Sequence, residues 1–320
     1  VNELSHRLRE FLSAQGLVAL AILAGAVIGL AALFLLARAI STGLLKKELK
    51  HFFYSPIAWL VMAGFSFVNG YVFLFLIDYY QGTFANEPFA VVFFTRNFFL
   101  WILLLFIIPA ITMRLIAEEK ASGTIETLMT APVRDSEVVF TKFSAALFFY
   151  VVMWIPTLPV IAALYYYGLP QSAWAELAAQ RAAQGWGTLR YVKECLLRLG
   201  DVMDLGPFLA AYFGLLLMGA AWIAIGLLAS SFAKNQVVAF MSAFVVLIML
   251  FAIGFAESLV QEDPSWLPHF RDVVRYLSFL NAFERFPKGV IDTRSAVYFI
   301  SVAAVSLFFT VRVVESRKWR

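Results

Sequence analysis

Charge is scarce in this chain, and the most informative stretch that carries it is residues 113–143, which read MRLIAEEKASGTIETLMTAPVRDSEVVFTKF. Met113 to Lys120 predicts a helix continuing out of the apolar run before it. Ser122 and Gly123 break that helix, and Thr124 to Thr130 predicts a short second one stopped by Pro132. Asp135 or Ser136 can cap the helix that follows. On the second short helix Ile125, Leu128 and Met129 form an apolar face beside the polar Glu126 and Thr127. Such a face suits a groove in a partner or packing on the chain's own helices. Glu118 and Glu119 can pair with basic groups on a partner, the favoured reading, or with Arg114 one turn back, the less favoured order for a helix pair. This is binding chemistry rather than bond-making chemistry.

Catalytic constellations are missing elsewhere. A phosphate cradle needs a glycine-rich loop ending in Gly-Lys-Ser/Thr, and no stretch has it, so the chain does not hydrolyse ATP alone. His6, His51 and His269 are scattered without metal-ligand spacing, and the lone Cys195 cannot form an internal disulfide. Neither a metal nor a catalytic triad is expected, and an enzyme is a poor reading. Ion-coupled carriers hold an ionisable group deep in the bilayer, whereas Asp78 and Glu257 sit at the ends of their apolar runs. No string resembles a selectivity filter. Energy for any transport must come from another chain.

The elements that position the charged stretch are set by composition. The 320 residues are 62% hydrophobic and only 14% charged, with a mean hydropathy of +0.82, which places the chain among membrane proteins. A net charge of +4 and a pI near 9.1 do not imply nucleic acid, because the basic residues stand at the ends of apolar runs as anchors rather than in a stripe. Core spans are predicted near 56–77, 91–115, 138–167, 207–231, 236–256 and 294–313. Arg96 is read as the outer end of its run, since an arginine at a span centre costs about 3 kcal/mol. Lysine and arginine favour the connections that carry Lys46, Arg114, Lys120, Lys142 and Lys234 and the C-terminus, which places these in the cytoplasm. Residues 43–56 read as a basic amphipathic helix lying in the inner interface, with Ser55 and Pro56 opening the first core span. Residues 1–42 form an extension whose run from Gly16 to Ala37 could span.

At this point the residues resemble a family. Glu118, Glu119, Gly123, Thr124, Glu126, Leu128 and Pro132 follow the pattern of the coupling region of ABC-2 type transporter permeases: paired acids, Gly-Thr, an acid, a leucine-rich turn and a proline. The turn Ser230-Ser231-Phe232-Ala233-Lys234-Asn235-Gln236 looks like that family's short link before its fifth span. The stretch from Phe283 through Asp292 to Trp319 is similar to the gliding-motility GldF-like branch. Coverage runs from about Lys46 to Arg320, and residues 1–40 depart from the pattern. The resemblance implies an all-α integral membrane protein with a six-helix ABC-2 type transmembrane domain over 43–320, preceded by the amphipathic helix. It further implies a second permease copy or paralogue and a cytoplasmic ABC ATP-binding subunit that carries the ATP and Mg, with no cofactor in this chain. The setting would be a bacterial inner membrane, and the activity that of an exporter subunit.

Arg114, Glu118, Glu119, Lys120, Gly123, Thr124, Glu126, Leu128 and Pro132 are thus the expected coupling residues. Trp154 and Trp222 fall near span centres and are the better candidates for lining a pathway, with helix packing as the default. Pro109, Pro156 and Pro159 remove backbone hydrogen bonds beside the coupling stretch and either permit bending or fix static kinks. The competing reading is a membrane component that transports nothing and transmits ATPase-driven motion to a motility or envelope machine.

Overall fold

The computed structural model describes residues 43–83, 89–123, 134–158, 205–259 and 276–316, with a few helical positions between 176 and 184. Every regular element among the described residues is helical. They divide into two compact units, one formed by residues of Ser41–Val151 and Gly206–Arg320 and the other by residues between Val152 and Leu205.

The larger unit begins with α1 (Gly43–Tyr54), an amphipathic helix with no fully buried residue. Lys46, Lys47, Lys50 and His51 are exposed, while Leu44, Leu45, Leu49, Phe52 and Phe53 are half-buried. Ser55 breaks the chain for one residue, and α2 (Pro56–Thr83) starts on the proline, whose missing N–H costs nothing at a first helical position. Trp59 donates from Nε1 to the Phe53 carbonyl at 2.8 Å and so fixes the angle between the two helices.

The next apolar run is built in pieces rather than as one helix over 91–115. A turn at Phe89–Val91 continues into a π-helical stretch, Val92–Arg96. Asn97 is then extended (φ −77, ψ 90), and its side chain accepts from Leu100 N, starting α3 (Phe98–Thr112). An Asn at this position caps a new helix and thereby stops the preceding one. The 15 residues of α3 span roughly 22 Å at about 1.5 Å per residue, short of a hydrocarbon core of roughly 30 Å. Pro109 lies inside α3.

Four turn residues lead to the short helix α4 (Ala117–Ala121). The long helices α5 (Asp135–Trp154), α6 (Leu205–Phe232), α7 (Gln236–Leu259) and α9 (Thr293–Glu315) complete the set, with α8 (Phe279–Glu284) between the last two. Among the described residues five helices are long and apolar enough to cross a membrane: α2, α5, α6, α7 and α9. The protein is therefore an all-α membrane protein. Asp135 and Glu137 occupy the first turn of α5, where negative charge favours the helix dipole. In the smaller unit α5 passes into a 3-10 turn, Ile155–Thr157, that contains Pro156. Residues 159–167, where the sequence extends this span, lie outside the described residues, as does the whole N-terminal run.

Glycines of α6 admit side chains from its neighbours. Gly219 faces the ring of Tyr150, whose hydroxyl donates to the Leu215 carbonyl at 3.2 Å, and Gly226 faces Thr112. A Cβ on Gly214 would come within 2.6 Å of Phe286. In lipid, where water drives nothing together, such close approaches are how helices hold each other.

Toward the far end of α7 from α4, the described residues 276–289 ahead of α9 fold inward. Phe279, Phe283 and Phe286 are buried, with Phe283 at 5.2 Å from Trp101, Phe279 at 5.7 Å from Phe299 and Phe279 at 6.1 Å from Trp222. Gly289 ends this segment in the left-handed region at φ +82, a conformation few other residues accept. Asp292 then caps α9 through Arg294 N and pairs with Arg285 at 2.6 Å.

Candidate functional site

The site is assembled at the junction that follows α3. Met113 N still bonds the Pro109 carbonyl at 2.8 Å, after which residues 113–116 turn and α4 begins. That turn leaves buried backbone donors that need partners. Ser230, fully buried near the end of α6, supplies one: its Oγ accepts from Ile116 N at 3.2 Å and Ala117 N at 3.1 Å. Ala117 packs against Ala233 and Ala239, with Met113 at the edge. Lys120 reaches back to the last turn of α6, where its Nζ donates to the carbonyls of Ser231 and, at 3.3 Å, Ala233. A cation on the open carbonyls at a helix C-terminus is favourable by charge and by hydrogen bonding. The two motifs that the sequence presented separately, residues 113–123 and the turn from Ser230 to Gln236, are one structure.

A second set of bonds ties the same segment to α1 and α5. Arg114 pairs through Nε with Glu118 at 3.1 Å and donates from a terminal nitrogen to Ser55 Oγ at 2.9 Å. Glu118 also lies 4.0 Å from His51 Nε2. Lys142, on the second turn of α5, has a side chain only 3% exposed and stands between Glu119 at 2.6 Å and Glu48 at 3.0 Å. An ammonium taken out of water needs such partners, because its desolvation costs several kcal/mol. Three elements, α1, α4 and α5, therefore share one buried cation.

Of the two pairings open to these acids, the intrachain one is formed: Glu118 is engaged by Arg114 and Glu119 by Lys142. The less favoured helical order of Arg114 and Glu118 forms because Ser55 holds the guanidinium from its other side.

Of the sequence-selected residues, Arg114, Glu118, Glu119 and Lys120 meet in this junction. Gly123 closes it, exposed and in the left-handed region at φ +72. Thr124, Glu126, Leu128 and Pro132 lie outside the described residues. Trp222 is fully buried in α6 with its ring against Phe279, and Trp154 is buried at the end of α5. Sequence reasoning left Lys142, Glu48, Ser55 and Ser230 out of the site. The one available signal was Lys142 itself, a lone cation in the otherwise apolar helical run that begins at Val138. Among the described residues no group of three His, Cys, Asp or Glu could hold a metal ion.

Long apolar helices with a fastened polar junction at the end of one of them define a membrane domain. Residues 77–312, about three quarters of the chain, match the family described as ABC-2 family transporter protein. The chain belongs to that family and is a permease subunit of an ABC transporter, not the ATPase. Among curated proteins none matches the chain significantly.

Proposed function

We propose that this chain is the transmembrane half of an ATP-driven exporter, worked by a separate cytoplasmic ABC ATP-binding subunit that engages the segment from Gly123 to Pro132. The observation that carries this reading is the fastening of the preceding junction. Through Ser230 and Lys120 it is bonded to the end of α6, and through Glu119 and Lys142 to α5 and α1. A force applied beyond Gly123 reaches three membrane-associated helices at once. ATP and Mg belong to the partner, and nucleotide drives movement only to the extent that the partner binds one helix arrangement more tightly than another.

Under this proposal the junction, the start of α1 and the C-terminus lie in the cytoplasm of a bacterial inner membrane. Two copies of the chain, or one copy and a paralogue, flank the substrate path. The partner's contact surface is centred on Ile125, Leu128 and Met129 with Glu126, beside the junction acids Glu118 and Glu119. The test is Glu126→Lys combined with Leu128→Ala in a reconstituted pair. Membrane insertion should be retained and stimulation of ATP turnover lost. Stimulation equal to wild type would remove the segment from the interface.

A further inference from the structure

A cavity of about 690 Å³ opens between α1, the start of α2 and the end of α3. It lies within the range of roughly 300–1,000 Å³ typical of ligand sites. Its walls change character from one side to the other. The floor is apolar, formed by Ile57, Ala58 and Val61 of α2 and Ala110 and Ile111 of α3. The other wall carries Lys47, Lys50 and His51 of α1, with Arg114 and Lys142. Three carboxylates line it as well, but Glu48 and Glu119 are engaged by Lys142 and Glu118 by Arg114. Lys47 and Lys50, both exposed, bring positive charge beyond what those pairs consume. The Arg114 guanidinium is steadied by Glu118 and Ser55 and keeps further N–H groups unused.

The geometry points to a site for a single anionic phospholipid. Its phosphate sits among Lys47, Lys50 and Arg114, and the upper part of an acyl chain lies on Ile57, Val61 and Ile111. A soluble anion would satisfy the cations and leave the apolar floor wet, and a neutral lipid would cover the floor and leave the lysines unanswered. Only an amphiphile with a negative head matches both walls. Seated there, it would bridge α1 to α2 and α3. The site rests on the membrane placement proposed above only for which leaflet supplies the lipid.

The site is tested on the purified chain alone, without nucleotide or partner, by native mass spectrometry with dioleoyl phosphatidylglycerol and dioleoyl phosphatidylcholine at equal concentration. Wild type should retain phosphatidylglycerol preferentially. Lys47→Gln and Lys50→Gln should each weaken that preference about five-fold, and the pair roughly thirty-fold, as expected for lysines near an anionic headgroup. Val61→Trp should abolish it by filling the floor, with wild-type thermal unfolding showing that the fold survives. Lys46→Gln, on the same helix but outside the cavity, should change little. Equal retention of the two lipids by wild type, or an effect of Lys46→Gln as large as that of Lys47→Gln, would overturn the site in favour of general surface attraction. Displacement of phosphatidylglycerol by millimolar inorganic phosphate would overturn the lipid assignment and leave an anion site. Because no ATPase takes part, failure here leaves the coupling proposal standing, and failure of ATPase stimulation leaves the lipid site standing.

Discussion

Replacing Lys142 by methionine should be the most damaging single change at the junction. The substitution keeps the length and apolar stem of the side chain and removes only the ammonium. Two carboxylates, Glu48 with 13% of its side chain exposed and Glu119 with 24%, then lose their shared cation. Breaking a fully buried ion pair by removing one partner costs roughly 3–5 kcal/mol, and the residual exposure here brings the expected loss to about 2–3 kcal/mol. That corresponds to a fall of roughly 3–5 °C in the unfolding midpoint, which intrinsic tryptophan fluorescence in detergent can follow. If the cost arises from stranded negative charge, then Lys142→Met with Glu48→Gln and Glu119→Gln should recover most of the loss, because removing all members of a buried ionic cluster is far cheaper than removing one. A single mutant as stable as wild type, or a triple mutant less stable than the single, would refute the account of Lys142 as the shared partner.

Other consequences are more local. Ser230→Ala should cost about 1–3 kcal/mol by stranding the N–H groups of Ile116 and Ala117, and hydrogen exchange should rise at those two amides before it rises elsewhere. Gly219→Ala pushes a methyl group into the Tyr150 ring and should destabilise by about 1–3 kcal/mol, with Tyr150→Ala on the same background recovering part of that loss in the same fluorescence assay.

The sequence made the membrane class and the polar junction legible for separate reasons. Long uncharged runs announce membrane helices without any knowledge of their packing, and the Ser122-Gly123 break after Lys120 announces a turn, which the structure forms at Gly123 with φ +72. The amphipathic helix before Ser55 was equally plain, because its leucines and phenylalanines alternate with lysines at helical spacing. Partners across the fold were not legible. Lys142 lies 23 residues from Glu119 and 94 from Glu48, and nothing in local spacing couples them. Ser230 looked like part of a polar link, and its role as acceptor for a turn more than a hundred residues away depends on how α6 packs against α3. The break at Asn97 was half legible, since Arg96 marks the outer end of its run, yet the aromatic residues on either side extend the span over 91–115 across it. Only the Asn97 side chain, accepting from Leu100 N, reveals that a new helix begins there. The inward fold of Phe279–Phe286 was concealed likewise, because a buried aromatic and an interfacial one have the same letter.

The account depends on which side of the membrane the junction faces, and one measurement addresses that directly. Ser122 is exposed beside Gly123. With Cys195 replaced by alanine, a cysteine at position 122 can be treated with a membrane-impermeant thiol reagent in sealed vesicles of known sidedness. Modification in inverted vesicles but not in right-side-out ones is the predicted result. Modification only from the outer face would put the junction out of reach of any cytoplasmic ATPase and would contradict the proposal at its root.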